Sequence, residues 1–152
     1  ILRLDGYENI HPIPLPLKKP NNKKRPVDKV RQALLQRGLD EILSWSFTDH
    51  SVANLFGNGP ELGTPLNQDM AVLRPSLLTG LLKAIRFNQA KSQNNMCFFE
   101  IAHQFQNNKE KVHEEAVAAG VRSQKTNQRH WLEMPRLVDV FDVKADIQTV
   151  LD

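Results

Sequence analysis

The chain is poor in the groups on which most enzyme sites are built. Cys97 is its one cysteine in 152 residues, so no intrachain disulfide can form. That usage fits a reducing compartment. Beside Phe98 and Phe99, Cys97 reads as a small buried apolar group rather than a nucleophile. No apolar run approaches the ~20 residues that a helical membrane span requires. The five histidines, His11, His50, His103, His113 and His130, stand at none of the spacings with another His, Cys or acid that mark metal sites. Gly57-Asn58-Gly59 lacks the Lys-Ser/Thr of a phosphate loop and reads as a turn. Ser76 and Ser92 lie in no nucleophile-elbow context. Glu114 and Glu115 are neighbours on an expected strand, where adjacent side chains point to opposite faces, so they do not share a site. Trp45 and Trp131 read as core or rim residues rather than base-stacking platforms. These residues assemble no catalytic constellation.

What is present is the composition of a soluble globular domain, 40% apolar and 24% charged, long enough for one core. The net charge of +3 is unevenly spread. Lys18, Lys19, Lys23, Lys24 and Arg25 fall within eight residues, and without them the remainder is slightly acidic. Two readings of that run stand: a solvated linker, or a contact to RNA or another phosphate-bearing partner.

Five of the nine prolines lie in 11–26, HPIPLPLKKPNNKKRP, which marks an extended connector. From Pro26 the pattern turns helical. Val27, Val30 and Leu34 share a face, Asp28 suits the positive end and Gly38 the position past the last turn, predicting a helix over 26–37. Leu43, Trp45 and Phe47 then alternate with Ser44 and Ser46, the period of a half-buried strand. A short helix is expected over 49–56, then a loop rich in glycine and proline. Ser76–Asn94 is expected to be the longest helix, with Leu77, Leu78, Leu81, Leu82 and Ile85 as its apolar stripe. CFFEIAHQF reads as a strand and QNNKEK as a turn. EEAVAAGV has alanines that favour helix, but its place after a strand and turn predicts a hairpin partner. A last helix is expected from 141, with Val143, Ile147 and Val150 on one face. This order predicts an α+β domain, an antiparallel sheet with helices against it. Both ends read as running sequence cut from a longer protein, with further strands expected downstream.

Five blocks carry a resemblance. RLDGYENI at 3–10 resembles the R-x-Y-G-Y-(D/E)-N-I signature of the beta subunit of bacterial-type phenylalanyl-tRNA synthetases, with Asp5 in place of a more usual aromatic or small apolar residue. VRQALLQRGLDEILSWSF at 30–47, PLNQDMAVLRPSLLTGLLKAIRFNQ at 65–89, FFEIAHQF at 98–105 and VFDVKADIQTVL at 140–151 resemble further segments of that family, in the same order. The resemblance implies that 1–10 close a winged-helix-like domain, that 11–25 are a linker, and that 26–152 are an incomplete class II aminoacyl-tRNA synthetase-like module, its antiparallel sheet flanked by helices. In the family this module is the non-catalytic copy, and the catalytic copy lies in the alpha subunit. His103 and Gln104 stand where the second class II motif would carry Gly-Arg, and no glycine-rich third motif occurs. Such sites need arginines to hold the ATP phosphates, so no catalytic, cofactor or metal residue is expected in this chain.

The resemblance further implies an α2β2 complex acting in the cytoplasm on phenylalanine and tRNA-Phe, with ATP and Mg²⁺ used by the holoenzyme. It implies an assembly role for this segment, with Val30, Leu34, Trp45 and Phe47, supported by Leu77 and Leu81, toward the alpha subunit. The alternative is a tRNA contact through Lys18, Lys19, Lys23, Lys24 and Arg25. Arg74 is expected in an internal ion pair.

Overall fold

The computed structural model describes residues 25–93, 95–108, 111–123, 125, 131–132, 134 and 136–152. The expected domain end at 1–10 and the linker up to Lys24, including Lys18, Lys19 and Lys23, lie outside the described residues.

Helix α1 spans Pro26–Gln36. Proline at its first position costs no hydrogen bond, since that N–H has no partner within a helix. Asp28 lies in the first turn, and its carboxylate accepts from the Arg25 guanidinium at 3.2 Å. The helix stops at Gly38, which takes φ +75°, a region open to glycine at little cost. Gly38 N–H donates to Leu35 C=O at 2.9 Å and Leu39 N–H to Leu34 C=O at 3.2 Å. This paired closure satisfies two terminal carbonyls and brings Leu39 back onto Leu34. With Phe99 these two leucines form the main core cluster, and Val30, Cys97, Ile101 and Val150 pack around it.

Strand β1 is only Asp40–Glu41, and β2 only Phe47–Thr48. Helix α2 (His50–Ala53), a 3-10 turn (Gln68–Met70) and β3 (Val72–Leu73) follow. β2 and β3 pair antiparallel over a small second core of Ala53, Ala71 and Val72. Helix α3 is Leu78–Gln89. Strands β4 (Cys97–Asn108) and β5 (Lys111–Arg122) form the long antiparallel hairpin expected from their sequence. Helix α4 is Val140–Leu151. Its start is fixed reciprocally. The Asp139 carboxylate accepts from Phe141 N–H at 2.8 Å, and the Asp142 carboxylate accepts from Asp139 N–H at 2.9 Å.

The α+β class holds, but the main sheet is mixed. Its order is β1-β4-β5, and β1 runs parallel to the central β4, pairing Asp40 with Phe98 and Glu41 with Phe99. Parallel neighbours need a crossover, and α2, β3 and α3 supply it here. Several expected boundaries shift, among them the helix expected over 49–56, which is only His50–Ala53, and the expected turn QNNKEK, into which the strands run to Asn108 and from Lys111. The expected strand through 43–46 is absent: the chain leaves the β4 ladder after Ile42 N–H donates to Phe99 C=O, and regains strand geometry at Phe47. Helix α3 starts at Leu78, with Leu77 as the residue that opens it, and the Ser76 hydroxyl accepts from Leu78 N–H just ahead of it. It ends at Gln89 rather than Asn94, because Ser92 takes φ +62° and the chain turns there.

Candidate functional site

The alternation at 42–48 is real, but its polar side faces inward. Leu43 is 87% exposed and Trp45 74%, while Phe47 lies at the edge of exposure with 37%. Between them Ser44 and Ser46 are half-buried, and Thr48 beyond is buried. The cause is a buried ion pair below the segment. Arg74 and Glu100 are each 1% exposed, with Nη1 2.9 Å from Oε1. The Glu100 carboxylate accepts from Ser44 N–H at 3.2 Å and Ser44 O–H at 2.7 Å. Arg74 Nη1 donates to Ser44 Oγ at 2.8 Å, and Nε to the His103 carbonyl at 3.1 Å. The Arg74 backbone joins the two sheets: its N–H donates to Ser46 C=O, and its C=O accepts from Phe105 N–H. Every buried side-chain N and O among the described residues is satisfied. A charge on a central strand is tolerated only when paired in this way.

The exposed ridge borders a groove of about 390 Å³ between segment 43–48, the 3-10 turn and α3, with Asp69, Met70, Gly80 and Lys83 in its wall. Lys83 Nζ donates to Thr48 Oγ1 at 3.1 Å and pairs with Asp49 at 3.4 Å. Asp49 caps α2. Its carboxyl is held down at about 2 by hydrogen bonds from the Ser51 hydroxyl and Val52 N–H, then by Lys83.

The residues expected on a partner-facing surface separate into two groups. Trp45 and Phe47 stand outside. Leu34, Leu77 and Leu81, at 6%, 1% and 0% exposure, fill this chain's own core, and Val30 is half-buried against it. Of the basic run only Arg25 is described. It is exposed and ion-paired with Asp28. In the sequence Leu43 and Ser44 read only as members of the alternation, and Glu100 is not among the expected site residues. The signal for Glu100 was there: one carboxylate in an otherwise apolar run, FFEIA, on a strand flanked by two others requires a buried cation.

A second charged knot fastens α4. Asp146 accepts from Arg37 Nε at 2.8 Å and from Arg122 Nε and Nη2 at 2.6 and 2.9 Å. Burial pushes the Asp146 carboxyl up, but the hydrogen bonds from Arg122 and Arg37 outweigh it and hold it below the usual carboxylate range. Arg122 Nη2 also donates to the Arg37 carbonyl at 2.8 Å. Arg122 is the only arginine in the β4–β5 hairpin sequence, and it is committed to this knot. Among the described residues, no three His, Cys, Asp or Glu side chains gather where they could hold a metal. No helix among them is long and apolar enough to cross a membrane.

The sequence profile described as "Phenylalanyl tRNA synthetase beta chain CLM domain" matches residues 9–152. The chain is 38% identical to a "Phenylalanine--tRNA ligase beta subunit" of Paramagnetospirillum magneticum, over 97% of this chain and 19% of that protein. A protein with the same description in Ehrlichia ruminantium (strain Welgevonden) is 35% identical over 99% of this chain and 20% of its own length. The one in Rhodospirillum rubrum is 32% identical over 100% of this chain and 20% of its own length. The chain thus spans about a fifth of the curated relatives it matches. On this match, which takes in the four α-helices and both long strands found among the described residues, the chain belongs to the family of phenylalanyl-tRNA synthetase beta chains.

Proposed function

We propose that this chain is a non-catalytic, class II-like assembly module of a phenylalanine–tRNA ligase, and that it docks on the alpha subunit through the ridge Leu43–Trp45–Phe47. The parent complex on this reading is a cytoplasmic α2β2 ligase that attaches phenylalanine to tRNA-Phe with ATP and Mg²⁺. The observation that carries the docking reading is the inverted alternation: two large apolar side chains, 87% and 74% exposed, on a segment whose serines are tied to a buried ion pair. Exposed aromatic anchors with a fixed backbone are the usual energetic centres of protein interfaces. Leu34, Leu77 and Leu81 support the ridge from within the core on this reading.

The residues present do not fit a nucleotide site. Holding the ATP phosphates calls for a guanidinium free to grip them. In the β4–β5 hairpin the one arginine, Arg122, is engaged by Asp146, and the exposed His103 occupies the strand position where the class II pattern would place glycine. No step through ATP or Mg²⁺ is assigned to this chain.

The test is retention of the alpha subunit by full-length beta subunit carrying Leu43→Glu and Trp45→Glu together. Both positions are exposed, so the fold is expected to stay intact, which circular dichroism checks. The expected result is loss of alpha-subunit retention. Unchanged retention removes the ridge from the interface.

A further inference from the structure

We infer that the buried Arg74–Glu100 pair, acting through Ser44, is the positioning device that sets the register of segment 42–47 and so turns Leu43, Trp45 and Phe47 outward. The inference deepens the docking reading and rests on it for its functional consequence.

In an extended segment the side-chain period is two, so a one-residue slip exchanges the inner and outer faces. Hydrophobicity alone favours the slipped register here, because it would bury a leucine and a tryptophan in place of two serines. Three features oppose it. The Glu100 carboxylate takes both the N–H and the O–H of Ser44, which gives this irregular stretch the partner that a strand ladder would otherwise provide. The Arg74 guanidinium grips the same residue at Oγ, while its backbone N–H, which any residue at 74 would supply, donates to Ser46 C=O. Gly80 on α3 opens the space that Ser44 occupies. A Cβ at position 80 would lie 2.0 Å from Ser44 Oγ and 2.6 Å from its Cβ. A slipped register would drive Leu43 or Trp45 onto that helix backbone and leave two buried charged groups short of their serine partner. Buried ion pairs add little to net stability, and their best-attested use is to specify register.

The experiment is residue-resolved hydrogen exchange on the full-length beta subunit, with alpha-subunit retention measured in parallel. Arg74→Met with Glu100→Leu removes both charges and leaves neither unpaired. The amides of 43–46 are expected to exchange about tenfold faster or more, while those of β4 and α3 keep their protection. Exchange at 43–46 within about twofold of wild type, with the sheet intact, overturns the inference. Should the double variant fail to fold, Ser44→Ala and Gly80→Ala make the same test from the other side of the contact, and Glu100→Gln serves as the conservative rescue. Loosening in the first two with protection kept in the third is the expected pattern, and no loosening in either of the first two overturns it. If 43–46 loosen and the alpha subunit is still retained, the positioning role stands and the docking reading fails.

Discussion

Replacing Asp146 with alanine probes how α4 is held. The side chain lies at the meeting point of α1, β5 and α4, and it is the sole carboxylate partner of Arg122 among the described residues. Asp146 and the Arg122 side chain are each 9% exposed, so the loss leaves a guanidinium buried without its anion. Such a loss costs about 3–5 kcal/mol. The Arg37 bond adds less than ~1 kcal/mol, because that side chain is 35% exposed and screened by solvent. A destabilisation of that size lowers the melting temperature of a domain this large by about 6–20 °C. Asp146→Asn keeps one accepting oxygen and no charge, and is expected to lose about 1.5–3 kcal/mol. Asp146→Leu with Arg122→Met removes both charges and is expected to return close to wild-type stability. Urea midpoints on the purified protein read all three, and exchange rates of the α4 amides show where the loss falls. A cost below about 1 kcal/mol for Asp146→Ala refutes the buried-anchor reasoning.

Gly38→Ala forces a Cβ into the left-handed region at φ +75° and is expected to cost about 1–2 kcal/mol by urea unfolding, although the site is sterically open. The acid limb of stability is expected to involve Asp142 and Asp49, both depressed to about 2 from an ordinary 3.8, Asp142 chiefly by Arg136 and Asp49 chiefly by the Ser51 hydroxyl. A group whose folded pKa is lowered stabilises the fold above its unfolded value and loses that contribution as pH falls toward the folded one. Their contribution is therefore present above about pH 4 and fades toward about pH 2, and Asp142→Asn is expected to flatten the slope in acid unfolding titrations. Leu81→Ala, at a fully buried position, is expected to cost about 2–5 kcal/mol by thermal melting. Leu43→Ala is expected to change stability by less than ~0.5 kcal/mol, since its side chain is 87% exposed.

Local signals served well where a single residue type dictates geometry. Pro26 and Gly38 bracket α1 because one lacks an N–H and the other lacks a Cβ, and both properties act within a turn of chain. The β4–β5 hairpin followed from two strand-length runs around a turn, although the alanines of β5 also suit a helix. The direction of the Leu43–Phe47 alternation could not be read locally. Period two defines two faces, and the choice between them is made by Arg74 and Glu100, 30 and 56 residues away from Ser44. The parallel placing of β1 is likewise a long-range outcome, set by the crossover through α3. Asp146 carried a readable cue in its helical spacing from Val143, Ile147 and Val150, although of that face only Asp146 is buried and only Val150 packs on the core, while Val143 and Ile147 are exposed. The expected surface mixed two populations because helical and alternating periodicities mark burial, and burial in this chain's own core and burial against a partner leave the same pattern.

The most direct test is hydroxyl-radical footprinting of Trp45 in the beta subunit, alone and in complex with the alpha subunit. The indole is 74% exposed here, so strong labelling is expected for the free subunit and marked protection in the complex. Equal labelling of Trp45 in both states would contradict the claim that this ridge is where the module meets its partner.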